Sequence, residues 1–229
     1  MDNIKAVIFD LDGTLLNTEP IEKAGWNHAL ERYGIVIDND EYLTYCGHMG
    51  PDVEIMICEK HGLDTQSGEL TQVRKEYVSK WIANHEIEKM PFALDILDFL
   101  KKEGCMLALA TSSKRDMMEK KLFKSGIRSY FQVTNSRDDV TLSKPDPEIY
   151  QLSITKLGYS ADDCLVIEDT QSGVEAAATA GIRCFAVPQI YSSKQDFSAA
   201  DMVFDSHKSI IEHLLKNKQV GTINSSTLE

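Results

Sequence analysis

Two aspartates one residue apart, Asp10 and Asp12, stand directly after an apolar run and just before Gly13-Thr14. The run, Ile4 to Phe9, is short, β-branched and almost uncharged, which predicts a strand buried on both faces with Asp10 where it emerges at the carboxyl end. Ligands bind at that edge of a parallel sheet. Glycine at 13 permits a turn most residues cannot make, so the chain can fold back while both carboxylates stay near one point. Asp-x-Asp alone reads equally well as a strand-ending turn. A buried strand before it and a helical pattern after it shift the reading towards chemistry.

Three further positions carry matching signals. Thr111 follows Met106 to Ala110, with Ser112 and Ser113 behind it. A hydroxyl and free amides at a helix start suit a phosphate oxygen, so Thr111 and Ser112 are candidate phosphate binders, although Ser112 or Ser113 could also be a plain N-cap. Lys144 lies within Ser143-Lys144-Pro145-Asp146-Pro147, where two prolines restrict the backbone that carries it. Several carboxylates and a phosphate dianion cannot share a pocket without such a cation. Glu168-Asp169 follows the apolar Cys164 to Ile167. Four carboxylates at one sheet edge are tolerable if they hold a hard divalent cation, and Mg²⁺ typically takes few carboxylates, several waters and a substrate phosphate oxygen.

In order and placement these motifs resemble those of the haloacid dehalogenase superfamily, whose first motif is Asp-x-Asp-Gly-Thr after the first strand. The helical insertion between the first and second motifs resembles the cap of its β-phosphoglucomutase and phosphoglycolate phosphatase branch. The resemblance implies that Asp10 is the nucleophile and Asp12 the general acid and base, the latter also offering Mg²⁺ its backbone carbonyl. It implies that Thr111 and Lys144 bind the transferring phosphoryl group. Asp169 would be a direct metal ligand and Glu168 one acting through water, so Asp10, Asp12, Glu168 and Asp169 form the expected metal set.

The elements that must position these residues fall into two regimes. From 17 to 88 the apolar spacing is helical, as in Ile21, Ala24, Gly25, His28 and Ala29, then Val53, Met56 and Ile57, then Leu70, Val73, Tyr77 and Trp81. No strand is expected there. From Pro91 helix and strand alternate: strands are predicted at Cys105–Ala110, Tyr130–Thr134, Cys164–Ile167 and Arg183–Val187, with a short edge strand at Asp201–Phe204. Met117, Met118, Leu122 and Phe123 are read as the apolar face of one intervening helix. The expected fold is α/β, a three-layer parallel-sheet core (1–16 and 89–216) with an inserted small α-helical cap (17–88). The polar, aperiodic 217–229 is expected to be a flexible tail.

Composition narrows the partners. A formal net charge of −12 over 229 residues argues against binding to nucleic acid or anionic membrane through a general basic surface and leaves room for a local basic pocket. The five cysteines are scattered without zinc-ligand spacing, as expected of reduced thiols, and Cys105, Cys164 and Cys184 sit in or beside apolar runs. Asp2 stands where a basic leader would begin and no apolar run reaches spanning length, so a soluble, cytoplasmic protein is expected; it is also expected to be a monomer.

The function expected is Mg²⁺-dependent phosphatase action on a small phosphorylated metabolite, a sugar phosphate or phosphoglycolate-like compound. By the resemblance, dehalogenases and phosphonatases lack an acid at the Asp12 position. A binding protein on the same fold would have lost catalytic side chains that are all present here. A phosphomutase is the alternative. Against it, β-phosphoglucomutase has a histidine where this chain has Glu22 and an arginine where it has Gly50, although Arg74 or Lys75 could supply a distal-phosphate cation if either faces the cleft.

Overall fold

The computed structural model describes residues 4–48 and 50–225, with side chains through 218. Asp2, read as standing in place of a basic leader, and the last four residues of the expected tail lie outside them. Six strands among the described residues form one parallel sheet: β1 Ala6–Phe9, β2 Met106–Ala110, β3 Val133–Asn135, β4 Cys164–Glu168, β5 Arg183–Ala186 and β6 Met202–Val203. Their order is β3-β2-β1-β4-β5-β6, so the chain leaves β1 in one direction and later returns to its other side. That reversal opens a crevice beyond the carboxyl end of β1.

Alternation along each strand divides the core into two layers. Val7, Phe9, Leu107, Leu109, Leu165 and Ile167 face helices α5 (Ala93–Lys102), α6 (Arg115–Ser125) and α9 (His207–Ser225). The alternate residues Ala6, Ile8, Ala108, Ala110, Cys164 and Val166, most of them smaller, face α7 (Glu148–Leu157) and α8 (Gln171–Thr179). Small side chains on the second face let Ala176 and Ala177 of α8 approach closely, and all of these residues are buried.

The insertion after β1 is helical as expected, with α1 Glu19–Leu30, α2 Asn39–Leu43, α3 Gly50–His61 and α4 Glu69–Asn84. The short α2 escapes the periodicity reading because its start is set by a cap rather than by an apolar stripe: Asp38 accepts from the Glu41 amide at 2.8 Å. The insertion has its own cluster around Trp26, Leu30, Tyr42, Ile57 and Leu70. Its base is shared, however, since Ile21, Val78 and Ile82 pack into the larger core beside Leu15 and Leu16.

Other differences from the sequence reading have local causes. The third strand starts at Val133 rather than Tyr130, because Arg128–Tyr130 is a 3₁₀ turn and pairing with β2 begins only at Ala108↔Val133. Phe123 is 80% exposed, so it does not belong to the inner face of α6; Lys121 does, at 2%. The chain from Lys216 continues α9 through Ser225, where an aperiodic tail was expected. Cys105, Cys164 and Cys184 are buried free thiols, as expected, and no helix among the described residues is long and apolar enough to cross a membrane.

Candidate active site

Register brings the motif residues together. Phe9 is level with Leu109 on one side and Ile167 on the other, so Asp10 falls level with Ala110 and Glu168, and Thr111 and Asp169 lie one step further on. The Asp10 amide donates to the Ile167 carbonyl at 3.1 Å, which continues the ladder to the point where the strands splay. Loop residue Lys144 enters from beside α7. Its ammonium donates to Asp10 Oδ1 at 2.7 Å, Glu168 Oε1 at 2.6 Å and the Ala110 carbonyl at 3.0 Å. It also lies 5.0 Å from the centre of the Tyr150 ring.

Glu168 is saturated. Besides Lys144, its Oε1 accepts from the Tyr150 hydroxyl at 3.0 Å. Its Oε2 accepts from the amides of Asp169 and Thr170 and from the Thr170 hydroxyl, at 2.8, 2.9 and 3.0 Å. A carboxylate so occupied can orient neighbours or a water better than it can bind an ion directly. Asp169 instead accepts at Oδ1 from the Thr14 hydroxyl at 2.8 Å, with no donor on Oδ2 among the described residues. Gly13, at φ +83°, runs directly over Oδ2, and any Cβ there would collide with it. Thus Gly-Thr in the first motif clears space for one acid of the fourth and bonds to it.

Oxygens of Asp10, Glu168 and Asp169 lie within 4.8 Å of one another, all buried. Three carboxylates therefore face one ammonium. Burial pushes the Asp10 carboxyl up to about 7; Lys144 opposes that shift while Glu168 and Asp12 add to it. Asp169 is raised well above the carboxylate range by burial and then by the charges of Glu168 and Asp10. Glu168 shows the reverse: burial would raise it, but the Lys144 charge and the donors from Lys144 and Thr170 outweigh burial and hold it low. Burial likewise works against the charge of Lys144, and its two carboxylate partners more than offset it. A site short of positive charge, with spare oxygens on Asp10 and Asp169, has the donor set of a hard divalent cation.

Asp12 turns away from this cluster. Its Oδ1 accepts from the Thr18 hydroxyl at 2.8 Å and from Lys121 Nζ at 2.6 Å, and its Oδ2 from the Ser113 hydroxyl at 2.8 Å. Burial opposes ionisation here, but Lys121 and these donors outweigh it and hold the Asp12 carboxyl below its usual range. Neither Lys121 nor Thr18 is identified by motif reading. The available signal for Lys121 is a lysine on the buried stripe Met118, Leu122 and Ser125 of α6.

Thr111 is buried, and its Oγ1 accepts from the Ser113 amide at 3.1 Å, leaving its hydroxyl proton without an acceptor among the described residues. Ser112 is exposed at the mouth of a cavity of about 660 Å³. Neither serine caps α6; Lys114 occupies the N-cap without a side-chain bond, and the Arg115 amide is taken by Asp138 Oδ2 at 2.9 Å. Across the cavity the insertion contributes Glu19, Glu22, Trp26, His48, Arg74 and Lys75. Arg74 pairs with Glu22 and lies 5.0 Å over the Trp26 ring. Its guanidinium reaches the space beside Gly50.

Residues 7–187 match the family model for haloacid dehalogenase-like hydrolases, spanning all four motifs. The chain belongs to this family. Among its relatives is a phosphorylated carbohydrates phosphatase of Thermotoga maritima, 33% identical over 180 residues, 78% of this chain and 82% of that one. A fructose-1-phosphate phosphatase of Escherichia coli, YqaB, is 29% identical over 176 residues, 77% of this chain and 92% of its own. The crystal structure of CbbY from Rhodobacter sphaeroides in complex with phosphate superposes with a TM-score of 0.75 at 28% identity, covering 89% of this chain and 95% of that one.

Proposed function

We propose that this family member is a Mg²⁺-dependent phosphatase, acting as a monomer on a small phosphorylated metabolite of the sugar phosphate or phosphoglycolate type. The observation that carries the reading is the Lys144 ammonium, bound at once to Asp10 and Glu168 at the carboxyl ends of β1 and β4. It pins a nucleophile-grade carboxylate in place and supplies positive charge where a phosphate dianion must come. Relatives that are phosphatases of phosphorylated carbohydrates support the substrate class.

In this reading Asp10, Asp169 and the Asp12 backbone carbonyl would hold Mg²⁺, with Glu168 acting through water. The ion would offset carboxylate charge and polarise the phosphoryl oxygens. Asp10 attacks phosphorus and the ester oxygen leaves, taking a proton from Asp12, whose carboxyl the substrate's phosphate dianion beside it would raise out of the low range set by Lys121. Water then attacks the aspartyl-phosphate, gives its proton back to Asp12, and releases phosphate and free Asp10. Thr111, with its unused hydroxyl proton, and Lys144 hold the phosphoryl oxygens, and Ser112 lies at the way in. Residues 17–88 act as the cap over the core formed by 1–16 and 89–216.

The mutase alternative draws on Arg74, which faces the cavity beside Gly50. Its charge is already matched by Glu22, which argues for water as the acceptor. Phosphate release from a broad panel of sugar and organic-acid phosphates, with and without Mg²⁺, tests the main reading; no release from any member would refute it. β-Glucose 1-phosphate supplied with a bisphosphate primer tests the alternative, and glucose 6-phosphate outrunning phosphate would favour the mutase.

A further inference from the structure

Lys121 is a charged side chain on the inner face of α6, only 3% exposed, and it belongs to none of the four motifs. Burying an ammonium costs several kcal/mol before pairing, a cost that Leu or Met at this position would avoid. Its Nζ donates to Asp12 Oδ1 at 2.6 Å and to Ser113 Oγ at 3.0 Å, while Ser113 donates in turn to Asp12 Oδ2. The Asp12 side chain keeps 24% exposure on its other side, towards the cavity. Three donors from three places therefore hold one carboxylate: Thr18 at the start of the insertion, Ser113 after β2, and Lys121 from the middle of α6. Two bonds on Oδ1 and one on Oδ2 fix the plane of the group, and rotation about its last torsion would break all three.

We propose that Lys121 is the positioning residue for Asp12, locking its carboxylate from behind so that the open side meets the departing ester oxygen. The proposal rests on the assignment of Asp12 as the acid that protonates that oxygen. A merely structural ion pair would weaken the enzyme for every substrate alike, whereas a positioning role is felt most where the leaving group needs a proton.

The test compares kcat/KM for phenyl phosphate and 4-nitrophenyl phosphate at saturating Mg²⁺, because 4-nitrophenolate departs without help and phenolate does not. kcat/KM reports only the steps through leaving-group departure, so later hydrolysis of the intermediate does not enter. Lys121→Met should lower the ratio of phenyl to 4-nitrophenyl kcat/KM at least fivefold. Lys121→Gln, which keeps a donor and is the milder change for folding, should fall between it and the parent. Asp12→Asn should lower the ratio at least as far as Lys121→Met. Equal losses on both substrates in the Lys121 variants, with Asp12→Asn still selective, would overturn the proposal while leaving Asp12 as the acid. An unchanged ratio in Asp12→Asn would overturn the acid assignment, and the proposal with it.

Discussion

At the scale of single residues the site is a problem of charge. Asp10, Glu168 and Asp169 share a buried space with one ammonium, and Lys144 is bound to two of them. Lys144→Met should leave those two without their cation and cost about 3–5 kcal/mol of stability, read from denaturant unfolding of the metal-free protein. Asp10→Asn keeps the volume and removes the nucleophile, so turnover should fall at least a thousandfold with the fold intact by circular dichroism. Residual hydrolysis near the parent level would refute the assignment of Asp10. The six motif residues were legible as types, five of them at or just beyond strand ends and Lys144 in a loop framed by prolines. Which side chain tunes which was not: Thr14, Thr18, Ser113, Lys121 and Tyr150 come from separate parts of the chain, and no spacing rule connects a lysine in α6 to an aspartate 109 residues earlier.

At the scale of elements the insertion meets the core in two ways. Its connecting segments pair with each other, Asn17 N donating to the Glu88 carbonyl at 2.8 Å and Met90 N to the Leu15 carbonyl at 2.9 Å. Opposite them the contacts are slight: Gln195 Nε2 to the Cys46 carbonyl at 3.3 Å, and the rings of Tyr42 and Tyr191 edge to face at 5.6 Å. A paired hinge with a lightly held far edge suits opening for substrate and closing against water. Small-angle scattering should therefore give a smaller radius of gyration with Mg²⁺ and a phosphate analogue than without, and identical profiles would remove the support for gating. The helices of the insertion were readable from their apolar spacing. That Val78 and Ile82 of α4 belong to the main core was not, because a periodic stripe says that a face is buried and not against what.

For the whole molecule, cation binding and folding should be linked. Mg²⁺ at a hundred times its Kd should stabilise the protein by about 2.7 kcal/mol, and Asp169→Asn should remove most of that gain. Activity should need Mg²⁺, with Ca²⁺ a poor substitute because its looser, higher coordination misaligns the nucleophile. A second linkage involves Glu19, whose carboxyl is pushed from 4.5 up to about 7 by burial, the Tyr42 hydroxyl opposing and Glu22 and Asp12 adding. A raised folded-state value means that Glu19 contributes stability below about 4.5, and that this is lost as pH rises through about 7. Glu19→Gln should thus gain on the parent as pH goes from 5 to 8, by on the order of 2 kcal/mol in urea unfolding. A difference that stays constant with pH would contradict this.

The sequence by itself determined the α/β class, the helical insertion and the ends of the strands on which chemistry sits. These follow from local pattern: a buried strand, a glycine turn and a polar pair leave a trace within ten residues. The tertiary structure alone decided which oxygens are spent and which are free. Glu168 and Asp169 are adjacent acids with the same motif signal, yet one is filled by five donors and the other keeps an open oxygen over Gly13. Likewise Asp10 and Asp12, one residue apart, have their carboxyls shifted in opposite directions. A carboxylate's ionisation and reach depend on the groups packed within a few ångströms of it, and those groups come from parts of the chain that only folding brings together.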